Sequence, residues 1–98
     1  MTLKPSAVLH LNRELIRSVA LKHRTLNPRV FGSVLRGEDE GSSDLDLLVE
    51  PLPGTTLFDL GALQVELEEA LGIGVDVLTP GDLPVKFREQ VLRDAVPV

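Results

Sequence analysis

One stretch of the chain, residues 32–49, constrains the fold and the chemistry more than any other. If residues 44–49 form a strand, three apolar side chains point to one face, a candidate core face, and Asp44 and Asp46 point to the other. Residues two apart on a strand lie about 6.5 Å apart. Carboxylates this close repel each other, and Mg²⁺, which prefers oxygen ligands, relieves that repulsion. The pattern therefore predicts a metal site, with two solvated aspartates as the alternative for D-x-D alone.

The start of the same stretch is a Gly32-Ser33 pair that follows an apolar strand end at Val30 and Phe31. Glycine lets a ligand approach the backbone closely, and free N–H groups at a helix start bind phosphate. If a short helix begins at Ser33, Arg36 lies one turn later and could reach the same phosphate oxygens. A lone Gly-Ser pair is ordinarily a plain turn. Together with Arg-Gly and D-x-D at these spacings, it indicates a nucleotide site.

A third carboxylate, Asp76, lies between two valines in a short predicted strand, Val75–Leu78. A carboxylate is unusual in so apolar a strand unless the face it lies on has a functional role. One sheet spacing, about 4.8 Å, would set Asp76 beside Asp44 and Asp46. The alternative is a strand whose second face meets solvent.

The remaining periodicity predicts an α/β (α+β) fold, with helices packed on a small mixed sheet of about three strands in the order α-β-α-β-α-β-α. The acidic loop before Asp44, with Glu38, Asp39 and Glu40, is expected to be solvated. The C-terminal residues 96–98 are expected to pack locally or to contact another chain. The other predicted elements are a single helix over 8–22, a strand over 29–31, and helices over 57–71 and 84–95.

Length and charge narrow the class of protein. We expect residues 1–98 to form one domain, since 98 residues are enough for a single modest core. Fifteen acidic against ten basic residues give a net charge of −5, which argues against direct nucleic-acid binding. Cysteine is absent, and no apolar run approaches the roughly 20 residues of a membrane span. We therefore expect no membrane association and a cytoplasmic location.

The pattern G-S-x10-D-x-D, with R-G inside the spacer, resembles the signature of the DNA polymerase β-like nucleotidyltransferase superfamily. The string FGSVLRG…SDLDLLVE and the small size are most similar to minimal nucleotidyltransferases, the MntA-type antitoxins that pair with HEPN-domain toxins. The resemblance covers nearly the whole chain. In the superfamily a third carboxylate lies on a following strand, the position that Asp76 occupies.

The resemblance implies a set of catalytic, metal-binding carboxylates and a set of phosphate-binding residues: Asp44, Asp46 and Asp76 for the first, and Gly32, Ser33 and Arg36 for the second. Two Mg²⁺ ions and ATP are the implied cofactor and co-substrate. The implied reaction transfers AMP to a tyrosine of a cognate HEPN ribonuclease toxin and releases pyrophosphate, in a possible hetero-oligomer. The alternatives are an antitoxin that neutralises its partner by stoichiometric binding, and the catalytic subunit of a small-molecule nucleotidyltransferase.

Overall fold

The computed structural model describes residues 3–98, and within them helices pack on a four-stranded mixed sheet. Strand β2 pairs antiparallel with β1 and parallel with β3, and β4 pairs antiparallel with the other edge of β1, so the order is β3-β2-β1-β4. The predicted α/β fold with a mixed sheet is confirmed. The elements are α1 (Pro5–Leu11), α2 (Arg13–Lys22), β1 (Thr25–Phe31), β2 (Leu45–Pro51), α3 (Leu57–Leu71), β3 (Val75–Leu78), a 3₁₀ turn (Pro80–Asp82), α4 (Val85–Asp94) and β4 (Val96–Pro97).

The fourth strand comes from the C-terminal tail, and local packing is the outcome observed for residues 96–98. Val96 pairs with Val30 in β1, and the Val98 N–H donates to the Pro28 carbonyl at 2.9 Å. Val98 is buried, and the Arg17 guanidinium donates to its carbonyl at 2.6 Å. A two-residue strand that contains proline carries almost no periodic signal, so only pairing along β1 reveals it.

The single helix predicted over residues 8–22 is wrong, because the chain breaks at Asn12 into α1 and α2. Asn12 leaves the helical region at φ −128°, and its side-chain amide donates to the Val8 carbonyl at 2.8 Å. Asparagine competes with the backbone for hydrogen bonds in this way and disfavours a helix interior. The break leaves Leu11 exposed while Ile16 becomes fully buried.

Helices α2 and α3 cover one face of the sheet and form the core with it. Leu63 and Leu67 of α3 are buried against that face, as the helical stripe predicted. A capping box between Thr56 and Asp59 begins α3, and the left-handed Gly72 ends it. On the opposite face of β2, Asp46 lies beside Leu48, which is fully buried. None of the helices within residues 3–98 is long and apolar enough to cross a membrane.

The outer edge of β3 is capped by side chains of α3. The N–H of Val75 donates to Glu68 at 3.2 Å, and the N–H of Val77 donates to Gln64 at 3.0 Å. Unpaired edge amides are templates for unwanted strand pairing, so these two bonds protect the edge. They also fix the strand that carries Asp76 to the helix behind it.

We expect Glu68→Ala to lower the free energy of unfolding by about 1 kcal/mol, because that is the usual net contribution of one such hydrogen bond to stability. Its neighbour Glu69 is exposed on the same helix, so Glu69→Ala is the matched control and should change stability by less than about 0.5 kcal/mol. The urea midpoint measures both. Equal midpoints for the two variants would contradict a role for Glu68 in holding β3.

Candidate active site

The strand register brings the predicted carboxylates to one place. Asp46 of β2 lies directly opposite Asp76 of β3, and on its other side it lies opposite Phe31 of β1. Gly32 follows Phe31, so β1 delivers it beside Asp46. At the start of β2, the N–H of Leu45 donates to the Gly74 carbonyl at 2.9 Å, which places Asp44 next to the start of β3. Three separate strands therefore supply the candidate site.

Two glycines make room for the two aspartates. A Cβ built on Gly32 would overlap the Asp46 carboxylate, with the Asp46 Cγ only 3.1 Å away, and Gly32 has a φ of +76° that favours glycine. A Cβ on Gly74 would overlap the Asp44 carboxylate in the same way, with Cγ at 3.0 Å. The sequence motifs gave Gly74 no role in the site. Its position two residues before Asp76 was the available signal.

Burial and charge repulsion act together on Asp46. Burial raises its pKa most, followed by repulsion from Asp76, a side-chain hydrogen bond with Asp76 and repulsion from Asp44, while Arg36 opposes the rise. The result is a pKa of about 6 instead of 3.8. Asp44 and Asp76 are exposed. Asp46 is therefore the inner carboxylate of the site, and it holds its proton to an unusually high pH.

The three aspartates are candidate ligands for a cation. Within residues 3–98, no group of three or more His, Cys, Asp or Glu side chains already converges as a ligand set. Asp46 and Asp76 nevertheless lie close enough to raise the pKa of Asp46, and a divalent cation would remove that repulsion. The donors are all carboxylate oxygens, the ligands that Mg²⁺ prefers. The donor chemistry therefore fits Mg²⁺, and the metal-binding role of each residue stays a prediction.

The condition of a short helix beginning at Ser33 is not met. Residues 32–37 form a hydrogen-bonded turn, in which the Arg36 N–H donates to the Gly32 carbonyl at 3.1 Å and the Glu38 N–H to the Ser33 carbonyl at 2.9 Å. Gly37, at φ +70°, ends the turn before a second helical turn forms. The N–H groups of the first residues of such a turn have no partner within it, and phosphate binding beside Ser33 stays a prediction.

Arg36 is solvent-exposed and paired with its neighbour. Its Nε donates to the Glu38 carboxylate at 3.0 Å. The guanidinium is also close enough to Asp46 to lower the pKa of that carboxyl slightly against the larger upward effects. An exposed pair of this kind is weak, so Arg36 is free to exchange Glu38 for a phosphate.

A cleft of about 380 Å³ opens beside the turn and runs under α4. Its walls are largely apolar, and Gln90 and Asp94 lie on its polar side. The sequence assigned no site role to α4, because its apolar and charged residues are mixed around the helix. The apolar lining includes Leu35, Leu78, Leu83, Phe87 and Val91.

The fold and this site define a nucleotidyltransferase. The family model described as nucleotidyltransferase domain matches residues 13–98, so the chain belongs to that family and is a nucleotidyltransferase. It is 42% identical over 80 residues to a relative from Methanocaldococcus jannaschii that is named a protein adenylyltransferase, covering 82% of this chain and 86% of the relative. It is 38% identical over 67 residues to protein adenylyltransferase MntA of Thermococcus cleftensis, covering 68% of each.

Two solved structures are similar to this chain, one of them a minimal nucleotidyltransferase. A minimal nucleotidyltransferase superposes with a TM-score of 0.84 at 43% identity and covers 100% of this chain and 97% of its own. A toxin–antitoxin structure with AMP-PNP superposes with a TM-score of 0.74 at 20% identity, covering 88% of this chain and 71% of the other. The similarity to the toxin–antitoxin structure, at 20% identity, shows that the two proteins share a fold.

Proposed function

We propose that this protein is an antitoxin that transfers AMP from ATP to a tyrosine of a cognate HEPN ribonuclease toxin and releases pyrophosphate, acting in the cytoplasm. Relatives named protein adenylyltransferase and the fold shared with toxin–antitoxin structures support adenylyl transfer to a protein. The HEPN partner and the tyrosine follow from the motif resemblance. The observation that carries the proposal is the register that sets Asp46 opposite Asp76, next to Gly32.

In this proposal the chain's own residues position the triphosphate. The N–H groups at Gly32 and Ser33 bind the β- and γ-phosphates, and Arg36 leaves Glu38 to join them. The cleft under α4 receives the nucleoside against its apolar walls. Positioning of this kind accounts for much of the rate of a phosphoryl-group transfer.

The three aspartates have two roles in this proposal, binding the cations and accepting the phenolic proton. Asp44, Asp46 and Asp76 would hold two Mg²⁺ ions, which would supply charge neutralisation for the phosphates and activation of the attacking hydroxyl. The tyrosine oxygen bonds to the α-phosphorus, the bond to the bridging oxygen of the β-phosphate breaks, and pyrophosphate leaves. Asp76, the exposed carboxylate, accepts the phenolic proton. Asp46 must lose its proton to bind a cation, so its raised pKa links binding to pH.

The test is to incubate the protein with Mg²⁺, ATP and the HEPN protein encoded beside it, and to weigh the partner by intact mass spectrometry. We expect AMP-sized mass increments on the partner, mapped to a tyrosine. The Asp44→Ala/Asp46→Ala variant should reduce the rate by at least about 10²-fold, because it removes charge stabilisation of the transition state. Labelled GTP, CTP and UTP in the same assay test the base preference.

The matched control is Glu40→Ala/Glu69→Ala, which removes the same charge from exposed positions outside the site. It should transfer AMP like the wild type. A partner that gains no nucleotide, yet is neutralised equally well by the Asp44→Ala/Asp46→Ala variant, would establish stoichiometric binding and overturn the proposal. Transfer to a small molecule with no protein product would indicate a small-molecule nucleotidyltransferase instead.

A further inference from the structure

One acidic residue of the loop between the phosphate turn and Asp44 is not solvated, contrary to the expectation from sequence. Asp39 is only 6% exposed, whereas Glu38 and Glu40 on either side are exposed. Its carboxylate accepts the N–H of Ser6 at 2.9 Å. The bond joins residues 33 positions apart, so the middle of the loop is attached to the start of α1.

The contact favours an ionised carboxylate. The backbone hydrogen bond from Ser6 lowers the pKa of Asp39 most, and the Ser6 hydroxyl and the charge of Lys4 also lower it, against the opposing effect of burial. Ser6 lies in the first turn of α1, where the N–H groups have no partner within the helix. Asp39 satisfies one of these donors and places a negative charge at the positive end of the helix.

This bond is the loop's connection to another element. Within the described chain, the other hydrogen bonds of residues 38–43 are local: Glu38 bonds to Ser33 and Arg36, and Glu40 and Ser43 bond to each other. Helix α1 is itself anchored, because Val8 and Leu9 are buried and the helix contacts β2. The loop is therefore held at its middle by a helix that packs on the strand carrying Asp46.

We propose that Asp39 is a positioning residue for nucleotidyl transfer, which holds the phosphate turn at residues 32–37 and Asp44 in the separation that a bound nucleoside triphosphate requires. The inference rests on the proposed function in one respect, that the turn binds the phosphates of ATP. Within residues 3–98, the Asp39 side chain makes its hydrogen bond to Ser6 and none to the turn or to the three aspartates, so it acts through the loop. Without the bond to Ser6, only a fraction of molecules would present both ends of the loop correctly, and the apparent affinity falls by that fraction.

The experiment compares KM for ATP at saturating Mg²⁺ and partner, well below the melting temperature of each variant. Asp39→Ala should raise KM by about 5- to 10-fold, with a smaller change in kcat. Asp39→Asn keeps an acceptor oxygen for Ser6 and should stay within about 2-fold of the wild type. Glu40→Ala makes the same charge change one residue away and should leave KM unchanged. A purely structural role would lower the folded fraction, and with it the apparent kcat, at constant KM.

Hydrogen exchange at the Ser6 amide reports directly on the bond. Fast exchange in Asp39→Ala together with a raised KM supports the inference, and fast exchange with an unchanged KM overturns it. If Asp39→Ala does not fold, Asp39→Glu retains the charge but displaces the carboxylate by one methylene, and an unchanged KM for that folded variant overturns the inference as well. A wild type that neither binds ATP nor transfers AMP would instead refute the proposed function, a result visible before any variant is compared.

Discussion

Asp46→Asn is expected to abolish nucleotidyl transfer and, at the same time, to stabilise the folded protein at neutral pH. The activity loss should be on the order of 10³-fold, because the innermost carboxylate of the candidate metal site loses its charge. The gain in stability has a separate cause. Burial, Asp76 and Asp44 all oppose the ionised form of Asp46, and asparagine cannot ionise.

The direction in which folding stability changes with pH follows from the raised pKa of Asp46. This pKa is about 6 in the folded protein, against an ordinary value of 3.8. The folded state binds the proton more tightly than the unfolded chain, so this stabilisation is complete below pH 3.8 and is lost as the pH rises through 6. At pH 7.5 the ionised Asp46 costs at most about 3 kcal/mol, since each pKa unit corresponds to about 1.4 kcal/mol. Asp46→Asn removes that cost.

Urea unfolding in EDTA at pH 4 and at pH 7.5 measures this effect. The variant should exceed the wild type by about 1 to 3 kcal/mol at pH 7.5 and by much less at pH 4. Asp44→Asn is the matched control, because Asp44 is exposed: it should lose activity without a comparable gain in stability. A variant no more stable than the wild type at pH 7.5 would show that Asp46 is not under repulsion in the folded protein.

Gly74→Ala is expected to lower activity by about 10²-fold with little change in stability, although Gly74 lies outside the G-S and D-x-D motifs. The added methyl would overlap the Asp44 carboxylate, which is the mobile end of an exposed side chain. Asp44 would rotate away at small cost to the fold, and a displacement of about 1 Å at a reacting site can lower a rate by 10²-fold. The Mg²⁺ concentration for half-maximal activity should rise as well.

Gly61→Ala is the control, since a Cβ there meets no other atom of the described chain within 4 Å. It should leave activity unchanged and stabilise α3 by about 0.5 to 1 kcal/mol. Gly32→Ala would be less informative, because a positive φ adds backbone strain to the overlap with Asp46. Full activity and unchanged Mg²⁺ dependence in Gly74→Ala would contradict a role for the glycine in placing Asp44.

Sequence patterns correctly predicted the helices and strands whose limits are set by residues close together in the chain. Helix α3 has the predicted limits, because a leucine stripe, a capping box and a glycine stop all lie within its own residues. The alternating side chains of β2 and the short strand β3 were predictable from the sequence for the same reason. Asn12, in contrast, divides a stretch with helical periodicity, and its effect depends on a hydrogen bond that competes with the helix.

The sequence by itself predicted the nucleotidyltransferase class, which the family match confirms, and the residues of the candidate site, because the spacing of Gly32-Ser33 and Asp44-x-Asp46 along one loop and one strand is a local property. Tertiary structure decided three other features. It set Asp76 opposite Asp46 by parallel pairing, which the sequence had left as one of two alternatives, and it alone placed Gly74 against Asp44 and buried Asp39 on α1. Each of these joins residues far apart in the chain. Burial, repulsion and steric overlap between such residues depend on distances in space, which spacing along a sequence does not encode.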